Sequence, residues 1–285
     1  MTFLKRMHEY GQLIRWHKPA GSLLILWPVL TALCLANKGQ APALLMFIFV
    51  SGTFIMRSAG CVINDLADMK FDRYVTRTQN RPLTIGTVKI WEALALLACL
   101  LGAALLLVLQ LNLYCRVLAV IAVFLTAIYP FMKRFISFPQ GILGIVFNFG
   151  ILMAYAASKN TIPFSGWLLF ITSIIWTIAY DTMYAISDRE DDLKLGLKSS
   201  AIWFGKHDRG IVGILQITVL ILLMLIGLIT QLTFWFYLGI LAAGLTFLYQ
   251  QLLIKNREPL LCHQAFTNNH WSWFFIFFGA WLSFH

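Results

Sequence analysis

The order of apolar and polar residues along the 285-residue chain is dominated by long apolar runs. Each is close to the roughly 20 residues that a helix needs to cross a bilayer. Runs at 19–36, 43–63, 90–110, 113–132, 139–157, 165–184, 210–230, 234–254 and 266–284 are separated by short polar segments. They are continuous, without the ten-residue alternation of a barrel strand, so each satisfies its own backbone hydrogen bonds as a helix. The pattern predicts an all-α, polytopic membrane bundle of about nine transmembrane helices. Residues 1–18 carry Lys5, Arg6, Arg15 and Lys18 before the first run, as a secretory leader does. That run is long, however, and no clear small-residue cleavage site follows, so it is read as a retained first span.

Composition agrees: 60% of residues are hydrophobic and only 12% are charged, outside the range of a soluble domain. The net charge of +10 raises the question of a nucleic acid partner, and the placement of the bases answers it. Of the 22 Lys and Arg residues, 18 fall at alternate span ends, leaving Lys38, Arg116 and Lys159 at the opposite ends and Arg57 inside the second span. This is the positive-inside asymmetry of a membrane protein. It puts the amino terminus and the even-numbered loops in the cytoplasm and implies no nucleic acid. The five cysteines, Cys34, Cys61, Cys99, Cys115 and Cys262, have no metal-type spacing and read as packing residues. The aromatic residues, 15% of the chain, read as lipid-facing or packed between helices.

The acids are more localised than the bases. Asp65, Asp68 and Asp72 leave the second span in one polar loop, and Asp188, Glu190, Asp191 and Asp192 leave the sixth span in another. At helical pitch Asn64, Asp68 and Asp72 are spaced i, i+4, i+8 and share a face, as do Asp181, Asp188 and Asp192. Clusters at equivalent ends, four spans apart, suggest a weak internal repeat that turns both faces toward one cavity. Neighbouring carboxylates repel unless protonated or bound to a cation, and an all-oxygen set suits Mg²⁺ that shares phosphate oxygens. Lys70, Arg73, Arg77, Arg81, Lys194 and Lys198 are interleaved with these acids. Acids for a metal beside bases for phosphate oxygens describe a metal-diphosphate site, although solvated loops also collect such residues. Arg57 and Asp181 are costly inside apolar runs, so each is expected to face the cavity, or the two to pair with each other.

At these segments the sequence resembles the UbiA superfamily of intramembrane aromatic prenyltransferases, over nearly the whole chain. The resemblance rests on Lys18-Pro19 with Leu26-Trp27-Pro28, Arg57-Ser58-Ala59-Gly60-Cys61 with Asn64-Asp65, Arg77-Thr78 and Asn80-Arg81-Pro82-Leu83. It extends through Tyr129-Pro130-Phe131-Met132-Lys133-Arg134, Tyr180-Asp181-Thr182 with Tyr184-Ala185, and Gly196-Leu197-Lys198-Ser199. Three of these runs point to the branch that prenylates 4-hydroxybenzoate in ubiquinone biosynthesis. The resemblance implies one prenyltransferase domain over residues 1–285 in the inner (cytoplasmic) membrane, with a polyprenyl diphosphate and 4-hydroxybenzoate as substrates. It implies Asn64, Asp68 and Asp72 as one Mg²⁺ cluster and Asp188 and Asp192 as the other. Arg77, Arg81, Lys133 and Lys198 match positions expected to hold diphosphate, and Arg134 is the candidate for the acceptor carboxylate. His17 departs from the pattern, since relatives often carry Asp there.

Asp181, one helical face above Asp188, is the first candidate to accept the ring proton or polarise the phenol. Relatives acting on dihydroxynaphthoate or homogentisate would share the chemistry and differ in the acceptor. A cation transporter is the reading from another class; its acids would be expected near the bilayer midplane rather than at one interface among bases.

Overall fold

The computed structural model describes residues 3–70, 72–74 and 78–285, with the backbone alone at Phe3, Lys133 and Arg134. Among the described residues there are eleven α-helices, three short 3₁₀ turns and no strand. The helices are α1 (Phe3–Leu13), α2 (Ala20–Ala36), α3 (Ala43–Asp68), α4 (Ile90–Val108), α5 (Leu113–Phe135) and α6 (Pro139–Lys159). They continue with α7 (Phe164–Lys194), the short α8 (Ser200–Phe204), α9 (Asp208–Ile229), α10 (Phe234–Leu253) and α11 (Pro259–Leu282).

Local chemistry sets many of the boundaries. Asn112 caps α5 by accepting from Cys115 N at 2.9 Å, and Ser199 caps α8 by accepting from Ile202 N. Pro139 and Pro259 open α6 and α11, where the missing N–H costs nothing, and α6 stops at Asn160 in the left-handed region (φ 53°).

Seven helical stretches are long and apolar enough to cross a membrane: α3, α4, α5 to Met132, α6, α7, Ser200–Ile229 and Phe234–Asn256. The chain is a multi-pass membrane protein. Two elements separate this count from the nine expected. Helix α2 is apolar but has only 17 residues. Helix α11 has 24 residues but carries Gln264, Asn268, Asn269 and His270 along its length. Two of these polar groups are spent on helix pairing, which matters where no water is available. Asn269 Oδ1 accepts from Trp176 Nε1 of α7 at 3.0 Å, and Asn268 Oδ1 accepts from Gln250 Nε2 of α10 at 3.0 Å.

Helices α2, α6, α7 and α11 form the centre, with α3, α4 and α5 packed to one side and α9 and α10 to the other. Asn148 ties α6 to α7 through Ser173 O and Thr177 Oγ1. Helices α10 and α11 approach until a Cβ on Gly239 would lie 2.5 Å from Phe275 O, so both backbones require the glycine there. Cys34, Cys61, Cys115 and Cys262 are buried as packing residues, while Cys99 of α4 is exposed.

Candidate active site

Helices α3 and α7 carry the two acid clusters and make no extensive contact with each other; α2 and α6 lie between them. Asn64 and Asp68 lie one turn apart at the end of α3, both half-buried. The helix stops at Asp68, and Asp72 sits beyond it in a 3₁₀ turn, Asp72–Tyr74. The expectation that Asn64, Asp68 and Asp72 share one continuous helical face is therefore corrected: two do, and the third is placed by a side-chain tether. Arg81 Nη1 donates to Asp72 Oδ2 at 2.7 Å and lies 3.0 Å from Asp65 Oδ1. Asp65, 1% exposed, also accepts from Arg15 Nη2 at 2.6 and 2.8 Å. Arg15, in the turn after α1, has φ 61°, so a non-glycine residue in the left-handed region delivers this contact. Burial pushes the Asp72 carboxyl above the ordinary carboxylate range, against the downward pull of Arg81.

The second cluster lies on helix rather than in a loop, because α7 runs unbroken for 31 residues through Asp181, Asp188 and Asp192. All three are half-buried. Their spacing of seven and four residues keeps them on one side of α7. Arg189, the next residue round from Asp188, turns away and donates to Asp208 of α9, which is completely buried. Arg257, at φ 57°, closes the same carboxylate from the α10–α11 turn at 2.8 Å.

Tyr129 of α5 lies near one acid from each of the two helices. Its hydroxyl lies within electrostatic reach of Asp68 on α3, of Asp181 on α7 and of Arg57. Its side chain is half-buried. Arg57, the cation inside α3, donates to Cys61 Sγ, lies over the Phe147 ring at 5.9 Å and packs against Gly21, where a Cβ would sit 2.9 Å from the guanidinium. Lys198 is exposed and donates to Phe135 O at 3.2 Å, joining the segment after α7 to the end of α5 that carries Lys133 and Arg134 in sequence. Arg77 and the side chains of Lys133 and Arg134 lie outside the described residues.

Among the described residues no three His, Cys, Asp or Glu side chains form a preformed metal cage. What α3 and α7 present instead is two separated sets of hard oxygen donors, a donor chemistry that fits a cation completed by ligand oxygens and water. Sequence reasoning singled out neither Tyr129 nor Asp208. Tyr129 sits in the quoted Tyr-Pro-Phe-Met-Lys-Arg run, which was the available signal.

The chain belongs to the UbiA prenyltransferase family, whose model matches residues 25–279. Among similar proteins, 4-hydroxybenzoate octaprenyltransferase of Aeromonas salmonicida (strain A449) is 50% identical over 275 residues, covering 96% of this chain and 95% of that protein. The enzyme of the same name from Coxiella burnetii (strain RSA 493 / Nine Mile phase I) is 46% identical over 280 residues, 98% of each. Among solved structures, a UbiA homologue from Aeropyrum pernix K1 without ligand has the same fold, with a TM-score of 0.80 and 22% identity over 90% of this chain and 96% of that one. A UbiA homologue from Archaeoglobus fulgidus bound to GPP and Mg²⁺ matches with a TM-score of 0.73 and 18% identity over 95% and 98% of the two chains.

Proposed function

We propose that this chain is a single prenyltransferase domain that moves a polyprenyl group from an allylic diphosphate to the ring carbon of 4-hydroxybenzoate ortho to its phenol, in ubiquinone biosynthesis. The observation that carries the reading is the 50% identity, across 96% of the chain, to an enzyme named for that acceptor. The convergence of Asp68 and Asp181 on Tyr129 supports it.

Mg²⁺, when bound, supplies positive charge where the leaving diphosphate becomes more anionic. Asn64, Asp68, Asp72, Asp188 and Asp192 are the residues that would hold it, with Arg77, Arg81, Lys133 and Lys198 for the diphosphate oxygens. The apolar helices around the cavity keep water from the allylic cation, and an opening toward lipid admits the prenyl tail. Arg134 suits the acceptor carboxylate because a guanidinium grips two oxygens at once. Asp181 accepts the ring proton or polarises the phenol.

The test uses the purified protein in detergent with labelled geranyl diphosphate, Mg²⁺ and a panel of 4-hydroxybenzoate, dihydroxynaphthoate and homogentisate. Only 4-hydroxybenzoate is expected to be prenylated, EDTA to abolish turnover, and excess Mg²⁺ to restore it. Turnover that survives chelation, or preference for another acceptor, rejects the reading. Asp188→Asn should lose metal-dependent diphosphate binding, whereas Asp181→Asn should keep it and form product slowly, by roughly 10²-fold. Equal loss of binding in both would move Asp181 into the metal site.

The proposed topology is nine spans, with α2 and α11 crossing alongside the seven apolar stretches, and with the amino terminus and both acid clusters on the cytoplasmic side of the inner membrane. A reporter fused after His285 should then behave as non-cytoplasmic. Cytoplasmic behaviour overturns the odd number of spans.

A further inference from the structure

A second polar site lies outside the acid clusters. Between α8, α9 and the α10–α11 turn is a cavity of about 920 Å³. Its polar wall is Lys206, His207, Arg209, Lys255 and Arg257. No Asp or Glu lines it, and none of Asn64, Asp68, Asp72, Asp188 or Asp192 reaches it. Arg257 is committed to Asp208 and to Lys206 O. Among the described residues Lys206, Arg209 and Lys255 have no ion-pair partner. The single buried carboxylate nearby, Asp208, already faces two arginines, so the local balance is strongly positive.

The remaining wall is apolar. Trp203 is 63% exposed, and Ile214 begins a stripe on α9 that continues through Ile217, Ile221, Met224 and Leu228, all exposed. Their spacing of three to four residues makes one continuous lipid-facing track down a membrane helix. Cations above such a track, with an interfacial tryptophan at the junction, complement an anionic headgroup and the acyl chain below it. A soluble anion would use the first half of this arrangement and leave the second unused.

We infer that this cavity binds the headgroup of an anionic glycerophospholipid from the surrounding leaflet, with one acyl chain lying along α9. The leaflet is the source favoured over a prenyl diphosphate because the track opens onto lipid. The binding is independent of the acceptor chemistry proposed above.

The experiment is native mass spectrometry of the full chain in detergent, titrated with dioleoylphosphatidylglycerol or dioleoylphosphatidylcholine. The anionic lipid should bind more tightly by on the order of tenfold. In Lys206→Gln/Arg209→Gln/Lys255→Gln the preference should shrink to about twofold. Unfolding temperature in neutral lipid and basal transferase activity should stay at the wild-type level. Should the triple variant fold poorly, Lys206→Gln/Lys255→Gln changes only exposed side chains and should lose part of the preference. An undiminished preference in the variants overturns the inference. So does equal competition by glycerol phosphate, which would mark a plain anion site, or displacement by geranylgeranyl diphosphate at lower concentration than the lipid.

Discussion

The ends of α3 and α7 do the same job with opposite charges. On α3 the acid belongs to the cluster-bearing helix: Asp65 is held by Arg15 from before the helix and Arg81 from after it. On α7 the arginine belongs to the cluster-bearing helix: Arg189 reaches out to Asp208 on α9, and Arg257 completes the clamp. Each clamp recruits an arginine in the left-handed region, Arg15 at φ 61° and Arg257 at φ 57°. The apparent repeat is thus architectural. Both acid-bearing helices have their ends fixed, and the chain fixes them by unrelated contacts. The clamps differ in one functional respect: Arg81 also reaches Asp72, a proposed ligand of the site, whereas among the described residues the side-chain bonds of Arg189 and Arg257 go to Asp208 and to backbone carbonyls.

The largest effect is expected from Asp65→Ala. It strands Arg15, only 17% exposed, and leaves Arg81, 15% exposed, with Asp72 alone, so the cost should be about 3–5 kcal/mol in unfolding free energy. Activity per folded molecule should also fall, on the order of 10²-fold, because Arg81 and Asp72 lose their placement. Asp208→Ala comes next. Arg189 and Arg257 are 21% and 36% exposed and can recover some hydration, so the loss should be near the lower end, about 3 kcal/mol. Activity per folded molecule should stay close to wild type. Thermal unfolding in detergent, together with turnover normalised to folded protein, separates the two. Equal losses of specific activity would break the distinction between the clamps.

The smallest effect concerns pH. His17, two residues beyond Arg15, has its imidazole pKa lowered from 6.5 by partial burial and then by Lys18, Arg15 and His8. The unfolded chain therefore takes up the proton first. Stability should fall as the pH drops through about 6.5 and level off below the folded-state value. The melting temperature of His17→Gln should lack this slope. An unchanged slope would place the titration elsewhere.

Much of the architecture was legible because membrane helices announce themselves locally: most of the apolar runs coincide with single helices, and the 210–230 run became α9, Asp208–Ile229. The acid clusters were legible for the same reason, since Asp181, Asp188 and Asp192 are related by helical pitch alone. The helical character of residues 185–194 was hidden by their polarity, which resembles a loop. The reverse error arose at Asp72, where pitch was extrapolated past a helix end. The clamps were not readable, because Arg15 lies 50 residues from Asp65 and Arg257 lies 49 from Asp208, and nothing local links them.

The lengths of α3 and α7 act as rulers for depth. Counted from their opposite ends, Asp68 is 25 residues into α3 and Asp188 is 24 into α7. At about 1.5 Å per residue both lie about 36–38 Å along their helices, beyond a hydrocarbon layer about 30 Å thick. In the proposed nine-span topology the two clusters thus stand at one level, among the headgroups. Asp181, seven residues earlier, lies about 10 Å further back along α7, which in that topology is inside the apolar layer. Under the proposed roles, a ligand that used both levels would keep its charge at the water boundary and react one step beneath it, away from bulk water.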